Sequence, residues 1–230
     1  MDRKMVLSIL GAAVLGFAGM LLLMPDPVDD GVVRLPWQVD RNELGHTQVF
    51  GFTLGETTLA EVRAVFREEG KLNLFKTVEE PIRFATEAYF EQIYLERLRA
   101  DFVITLEVDQ ATLEGMYDRG LRISQLSSGG KKVKLDPADI ETLTSRPIQS
   151  ISYLPKARLD DALITQRFGE PTRKLTEPET GIVHWLYPER GLDIGRDAKG
   201  HVVIQYVNPA DFPALTAPLE PIAAASKHGE

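Results

Sequence analysis

The chain has 230 residues with 43% hydrophobic and 26% charged content, which is typical of a globular protein and sufficient for one large core or two small ones. Its formal net charge of −8 argues against nucleic acid as a partner, because phosphate binding needs clustered Lys and Arg. The chain has no cysteine, and this excludes disulfides, thiolate metal sites, a cysteine nucleophile and a lipidated cysteine anchor.

Residues 5–24 form an uncharged, apolar run of twenty residues, the length of a helix that spans the hydrocarbon core of a bilayer. Arg3 and Lys4 precede the run and three aspartates follow it within residues 25–30, and the positive flank is the one retained in the cytoplasm. The pattern predicts a single-pass inner-membrane protein of a bacterial-type cell, with its C-terminal part in the periplasm. A cleaved signal peptide is the alternative, and the length of the run favours the uncleaved anchor.

The rest of the chain divides by composition. Prolines and aspartates predict an extended linker over residues 25–36, and a proline-rich, alanine-rich end predicts a loose tail over residues 208–230. Between them we predict an α+β fold of two modules, each with helices on an antiparallel sheet, over residues 37–147 and 148–207. In this prediction both modules lie behind the membrane anchor of residues 1–24.

The first module is predicted to contain one clear helix among strands. A strand is expected over residues 49–54, and Thr58 followed by Glu61 matches a capping box at the start of a helix that ends before Gly70. A β-rich stretch follows. It is clearest over residues 102–108, where alternate positions are apolar, so one face of that strand should be buried.

The second module is predicted to contain a helix followed by a meander. The helix stops at Gly169 and Pro171, as a C-cap glycine and a following proline dictate. Three strands are then expected over residues 182–187, 191–194 and 201–207, joined by short turns in the manner of antiparallel neighbours.

The segments RFGEP and HWLYPERGLDIGRDAKGHVVIQYV resemble the outer-membrane assembly factor family called BamE, SmpA or OmlA. The positions that carry the resemblance are Phe168, Gly169, Pro171, Trp185 and Tyr187. It implies a fold in which helices pack on one face of a three-stranded antiparallel sheet. Members of that family are lipoproteins, whereas this chain has no cysteine, so their role in barrel assembly is not carried over.

No local pattern of residues indicates catalysis, a cofactor or a metal. Alternation places His184 on the face opposite Trp185 and Tyr187, and we expect an exposed polar-face histidine because no spaced carboxylate or second histidine completes a metal set. Asp160 and Asp161 project about 100° apart on a helix, so a role at the helix dipole is favoured over paired acid–base catalysis. We therefore predict no catalytic, cofactor-binding or metal-ligating residues, and no cofactor.

Aromatic residues supply surface for either a core or an apolar groove. Core packing is the favoured use, and a contiguous exposed set would instead favour a groove. The residues concerned are Trp37, Tyr89, Phe90, Tyr94 and Phe102.

The patterns together predict a non-enzymatic, membrane-anchored periplasmic protein that binds another envelope protein, as a scaffold or assembly partner, through sheet edges or faces. The alternative is a small-molecule or lipid-binding module in which sheet and helices enclose a cavity, and a solid core between them would exclude it. An envelope enzyme ranks third. A deep pocket with converging titratable groups would favour that interpretation.

Overall fold

A computed structural model of the protein describes residues 33–78, 81–127 and 129–219. The membrane anchor predicted at residues 5–24 lies outside these residues. Within the described ranges, no helix is both long enough and apolar enough to cross a bilayer.

The described chain consists mainly of β-strands with a few short helices. The strands are β1 (Asp40–Arg41), β2 (Thr47–Val49), β3 (Phe52–Thr53), β4 (Lys71–Lys76), β5 (Phe84–Leu95), β6 (Leu98–Leu106), β7 (Arg122–Gln125), β8 (Lys131–Lys134), β9 (Ile148–Pro155), β10 (Arg173–Thr176), β11 (Val183–Tyr187), β12 (Leu192–Arg196) and β13 (Val202–Tyr206). The α-helices are α1 (Leu59–Phe66), α2 (Gln110–Asp118), α3 (Pro137–Thr144), α4 (Asp161–Phe168) and α5 (Phe212–Thr216). Short 3-10 turns occupy Pro188–Arg190, Pro209–Asp211 and Ala217–Leu219.

One antiparallel sheet of ten strands organises the fold. Its spatial order is β10-β11-β12-β13-β9-β6-β5-β4-β8-β7, and β1, β2 and β3 form a separate small sheet. The pairing of β6 with β9 joins the strands of the two halves of the chain. In this pair Phe102 lies opposite Tyr153, and Ile104 lies opposite Ile151.

The predicted α+β fold of two separate modules is therefore wrong, because the described chain is mostly one antiparallel sheet. Alternating apolar residues identify the buried face of a strand, but they do not identify the strand that lies beside it. As module edges, β6 and β9 would each carry a row of unpaired N–H and C=O groups. Pairing the two edges satisfies these groups and merges the sheets.

An aromatic cluster fills the core on one face of this sheet. Phe102, Tyr153 and Tyr206 project from β6, β9 and β13, and Phe50 and Phe66 pack onto them. The ring centroids of Phe66 and Phe102 are 4.8 Å apart, and those of Phe50 and Phe102 are 5.2 Å apart. Edge-on and tilted contacts at these distances stabilise a core beyond simple area burial.

The strand predicted over residues 49–54 is divided by a tight turn. Phe50 and Gly51 both have positive φ values, 56° and 77°, between β2 and β3. The turn points the buried Phe50 ring into the aromatic cluster. Tertiary packing of that ring therefore overrides the extended conformation that the apolar run predicts.

The capping box predicted for α1 is confirmed. The Thr58 hydroxyl accepts a hydrogen bond from the Glu61 backbone N–H at 3.4 Å, and the Glu61 carboxylate accepts one from the Thr58 N–H at 2.7 Å. The helix ends at Arg67, which adopts the left-handed conformation, three residues before the predicted stop at Gly70.

The helix and the meander predicted for residues 148–207 are also confirmed, and the helix is α4. The Asp160 carboxylate caps α4 by accepting from the Leu163 N–H at 2.8 Å, and Gly169, with φ 83°, is its C-cap. Strands β11, β12 and β13 pair as consecutive antiparallel neighbours. Strand β10 and helix α3 were not anticipated, because each is a short segment without a sustained apolar period.

The described part of the tail predicted over residues 208–230 is helical. Phe212 and Leu219 are buried with Leu175 on the face of the sheet opposite the aromatic cluster. The proline of α5 lies in the first turn, where a missing N–H does no harm. Composition alone therefore underestimated the packing of this segment.

Replacing Phe102 with alanine tests the aromatic cluster that spans the β6–β9 pair. We expect Phe102→Ala to lower the free energy of unfolding by about 3–5 kcal/mol, as large-to-small core substitutions do. The matched control is Val103→Ala, which changes the half-buried neighbour on the opposite face and should cost roughly 1 kcal/mol. Urea denaturation measures both. Equal losses for the two variants would contradict the proposed importance of the cluster.

Candidate functional site

A cavity of about 480 Å³ lies between α4 and the end of the sheet. Leu163 on α4 and Leu159, just before that helix, form one wall, and Leu98, Tyr153 and Ile204 form the facing wall on β6, β9 and β13. Its volume falls within the range of roughly 300–1,000 Å³ that is common for small-molecule sites. The walls come from both halves of the chain, so the β6–β9 pair is what assembles the cavity.

Trp37 closes one side of the cavity, and its position is fixed on several sides. Its ring meets Phe168 edge-on with centroids 6.5 Å apart, and the Arg167 guanidinium stacks over it at 4.5 Å. Arg190 donates hydrogen bonds to the Phe168 carbonyl at 2.7 Å and to the Trp37 carbonyl at 3.1 Å. The Tyr206 hydroxyl donates to the carbonyl of Pro36 at 2.7 Å. These contacts hold Trp37 in place as one wall of the cavity.

The charged side chains that line the cavity are all cationic. They are Arg97, Arg99, Lys156 and Arg167, and no acidic residue among the described residues lines it. The chain as a whole is acidic, so this local excess of positive charge runs against the composition. An anionic group would be attracted to this site.

Lys156 is the one of these four cations with a carboxylate partner among the described residues. Its ammonium group donates to the buried Asp101 carboxylate at 2.5 Å, and the same carboxylate accepts from the Tyr89 hydroxyl and the Gln92 N–H, each at 2.9 Å. Burial tends to raise the pKa of Asp101, but the hydrogen bonds and the charge of Lys156 outweigh burial and hold that pKa below its ordinary value. Asp101 thus neutralises Lys156 and anchors the β-bulge at Gln92.

Arg97 is presented by a strained turn. Glu96 and Arg97 connect β5 to β6 in a two-residue turn, and both have positive φ values, 47° and 65°. Such turns favour Asn-Gly, because residues with a Cβ pay about 1 kcal/mol or more each in the left-handed region. Strain that persists in this way is concentrated at functional sites.

His184 forms a hydrogen-bonded group with Asp193 and Glu177 on the face of the sheet opposite the cavity. Its Nδ1 lies 2.9 Å from the Asp193 carboxylate and its Nε2 lies 3.0 Å from the Glu177 carboxylate, which also accepts from the Thr180 hydroxyl. Burial by itself lowers the pKa of His184, but the hydrogen bonds and charges of Asp193 and Glu177 outweigh it and raise that pKa above 6.5. The two carboxylates favour the protonated form of the imidazole, and the group ties the β10–β11 hairpin to β12.

The expectation of an exposed His184 without spaced carboxylates is therefore wrong. Its side chain is only 13% exposed. Glu177 lies seven residues before it and Asp193 nine residues after it, and hairpin pairing brings both alongside. Reading acidic residues across the predicted meander, rather than along one strand, would have revealed the group.

Asp161 and the remaining described histidines have local roles. Asp161 forms an ion pair with Arg196 at 3.2 Å. His201 pairs with Asp197 at 2.8 Å on an exposed turn, and His46 lies 2.9 Å from Glu56. His228 lies outside the described residues. Over the ranges that the structure describes, no group of three or more His, Asp or Glu side chains has an arrangement suited to a metal ion.

The five candidate aromatic residues divide between core and surface. Phe90 and Phe102 are buried in the core, as predicted, and Tyr89 is half-buried beside Asp101. Tyr94 is 65% exposed, and Trp37 lines the cavity. No sequence pattern indicates the cavity, because a cavity depends on how segments distant along the chain pack together.

The raised pKa of His184 predicts that the stability of the fold depends on pH. A raised folded pKa contributes stability that is complete below the unfolded value near 6.5 and is lost as the pH rises through the folded value. We expect His184→Gln to remove the decline in unfolding free energy over that window, whereas His201→Gln, on its exposed turn, should keep it. Urea denaturation across a pH series measures this. An unchanged pH slope in His184→Gln would contradict the assignment.

Comparison of the chain with protein-family models, with curated proteins and with solved structures gives no match. The resemblance to the BamE family therefore stays a prediction, carried by Phe168, Gly169, Pro171, Trp185 and Tyr187.

Proposed function

We propose that the protein is a non-enzymatic binding module of the cell envelope that holds the apolar part of a small molecule or lipid in the cavity beside α4. The observation that carries this proposal is the mainly apolar lining of the cavity, which has a volume of about 480 Å³. Clefts of similar volume occur elsewhere on the described surface, but this one is distinguished by its position between α4 and the sheet and by its apolar walls, which are typical of a ligand site.

The volume of the cavity favours an apolar ligand of moderate size. At about 30 Å³ per heavy atom, the volume of a water molecule in the liquid, the cavity accommodates on the order of 16 heavy atoms. Tyr153 and Ile204 at its base are buried, whereas its cationic residues are exposed, so the walls grade from apolar to polar. Burial of apolar ligand surface against the base would drive binding.

The envelope location is part of the same proposal. The uncharged run of residues 5–24, preceded by Arg3 and Lys4, supports anchoring in the inner membrane with the sheet on the periplasmic side. Tethering beside a bilayer would give the cavity access to membrane-derived amphiphiles at high local concentration.

Tryptophan quenching by a brominated ligand tests the proposal. The chain has two tryptophans, of which Trp37 lines the cavity and Trp185 is buried in the core. We expect ω-bromododecanol to quench Trp37 saturably in the full chain held in lipid nanodiscs, and Trp37→Phe to abolish the effect. Leu163→Gln should raise the half-quenching mole fraction about tenfold, which corresponds to 1.4 kcal/mol.

The matched control for that experiment is Ala162→Gln, because Ala162 is exposed on α4 and does not line the cavity. This variant should bind as the unchanged chain does. Quenching that does not saturate, or that is the same in Leu163→Gln and Ala162→Gln, would overturn the proposal.

A second candidate function is a scaffold that binds another envelope protein. It is favoured by the outer edge of β7, where all four residues are exposed and Ile123 is 50% exposed. Leu121, just before the strand, is 55% exposed. An edge strand with exposed apolar side chains can add a strand from a partner, and natural proteins usually block such edges with charges or prolines.

A photo-crosslinking amino acid at position 123 tests this second candidate in intact cells. We expect a discrete adduct from position 123 and none from the control position Glu141, which is exposed on α3. The same adduct from both positions, or none from position 123, would contradict strand addition at β7.

A further inference from the structure

From the cationic lining of the cavity we infer that its ligand is a single-chain amphiphile with an anionic head group, bound by the guanidinium groups of Arg97 and Arg167. Arg99 and Lys156 also line the cavity, but the register of β6 and β9 places their side chains with Asp101 on the opposite face of the sheet. The inference rests on the proposed function and adds to it the chemical class of the ligand. A carboxylate and a phosphate monoester share the required chemistry, since both accept paired hydrogen bonds from a guanidinium group.

The position of the charges supports this class. Arg97 and Arg167 are exposed, whereas Tyr153 and Ile204 behind them are buried, so the cavity is apolar inside and cationic at its mouth. An amphiphile matches this arrangement, because it has an apolar chain at one end and a polar head group at the other. Its chain would occupy the buried part and its head group would remain among the arginines.

Neither Arg97 nor Arg167 has a carboxylate partner among the described residues, whereas Lys156 is neutralised by Asp101 at 2.5 Å. Arg167 is already held by stacking over the Trp37 ring at 4.5 Å, which leaves its N–H groups to donate to a ligand. In an acidic chain, two guanidinium groups beside one cavity that have no carboxylate partner among the described residues favour binding of an anion there.

The backbone at Arg97 provides an independent observation. Glu96 and Arg97 both adopt the left-handed conformation, with φ 47° and 65°, in a turn where Asn-Gly would fit without strain. The strained turn places the Arg97 side chain at the cavity. Binding of an anion by Arg97 explains why a side chain is kept at this position.

The volume favours one acyl chain. Space for about 16 heavy atoms accommodates a chain of roughly a dozen carbons, and the two long chains of a membrane phospholipid would exceed it. The ligand class is therefore a fatty carboxylate or a monoalkyl phosphate rather than an intact diacyl lipid.

The test compares three brominated ligands of the same chain length with the full chain in nanodiscs, by quenching of Trp37 at equal mole fractions in the bilayer. They are ω-bromododecanoate, ω-bromododecyl phosphate and ω-bromododecanol. We expect at least one anion to reach half-quenching at a mole fraction about tenfold lower than the alcohol. The anion that binds more tightly identifies the source as a carboxylate or a phosphate.

Variants assign the preference to the arginines. Arg97→Gln should remove most of the tenfold preference and leave binding of the alcohol unchanged, whereas the control Arg122→Gln on β7 should leave both unchanged. Glu96→Asn combined with Arg97→Gly should raise the midpoint of urea unfolding and still weaken binding of the anion. That variant separates loss of binding from loss of folding.

The outcomes distinguish the two proposals. Equal binding of alcohol and anions, or a preference that survives in the arginine variants, would overturn the inference and leave the proposed function standing. Failure of all three ligands to quench Trp37 saturably would overturn both.

Discussion

The pairing of β6 with β9 is the interaction on which the rest of the structure depends. It joins the edges of two groups of strands into one ten-stranded sheet and satisfies backbone groups that would otherwise be unpaired. It also places Phe102 opposite Tyr153, so the aromatic core is continuous across the join. The cavity follows from the same pairing, because Leu98 and Tyr153 reach it from the two sides of the join.

Packing along the β6–β9 pair differs between its middle, which is filled by the aromatic cluster, and its end, which borders the cavity. The middle of the pair therefore contributes to stability and its end to binding. In the middle of the sheet, Phe50 and Phe66 fill the space above β6 and β9. Toward the β5–β6 turn the covering elements are α4 and Trp37, and these enclose a void. Asp101 lies below that end on the opposite face, where it fixes Lys156 and the bulge at Gln92.

The sequence predicted those features that depend on neighbouring residues. The box of Thr58 and Glu61 fixes the start of α1, and the turns of the last three strands fix the meander. Features that depend on distant residues were not accessible: the partner of a sheet edge, the void beside Trp37 and the carboxylates around His184. Backbone hydrogen bonds at an edge are alike in all strands, so they leave no pattern in the side chains.

We propose that the chain binds a single-chain anion in the cavity beside α4, with its head group on Arg97 and Arg167. A crystal structure of the protein with dodecanoate tests this proposal. The predicted result is an acyl chain against Tyr153 and Ile204, with its carboxylate within hydrogen-bond distance of Arg97 or Arg167. A cavity filled by the Trp37 side chain, or dodecanoate bound elsewhere, would contradict the claim.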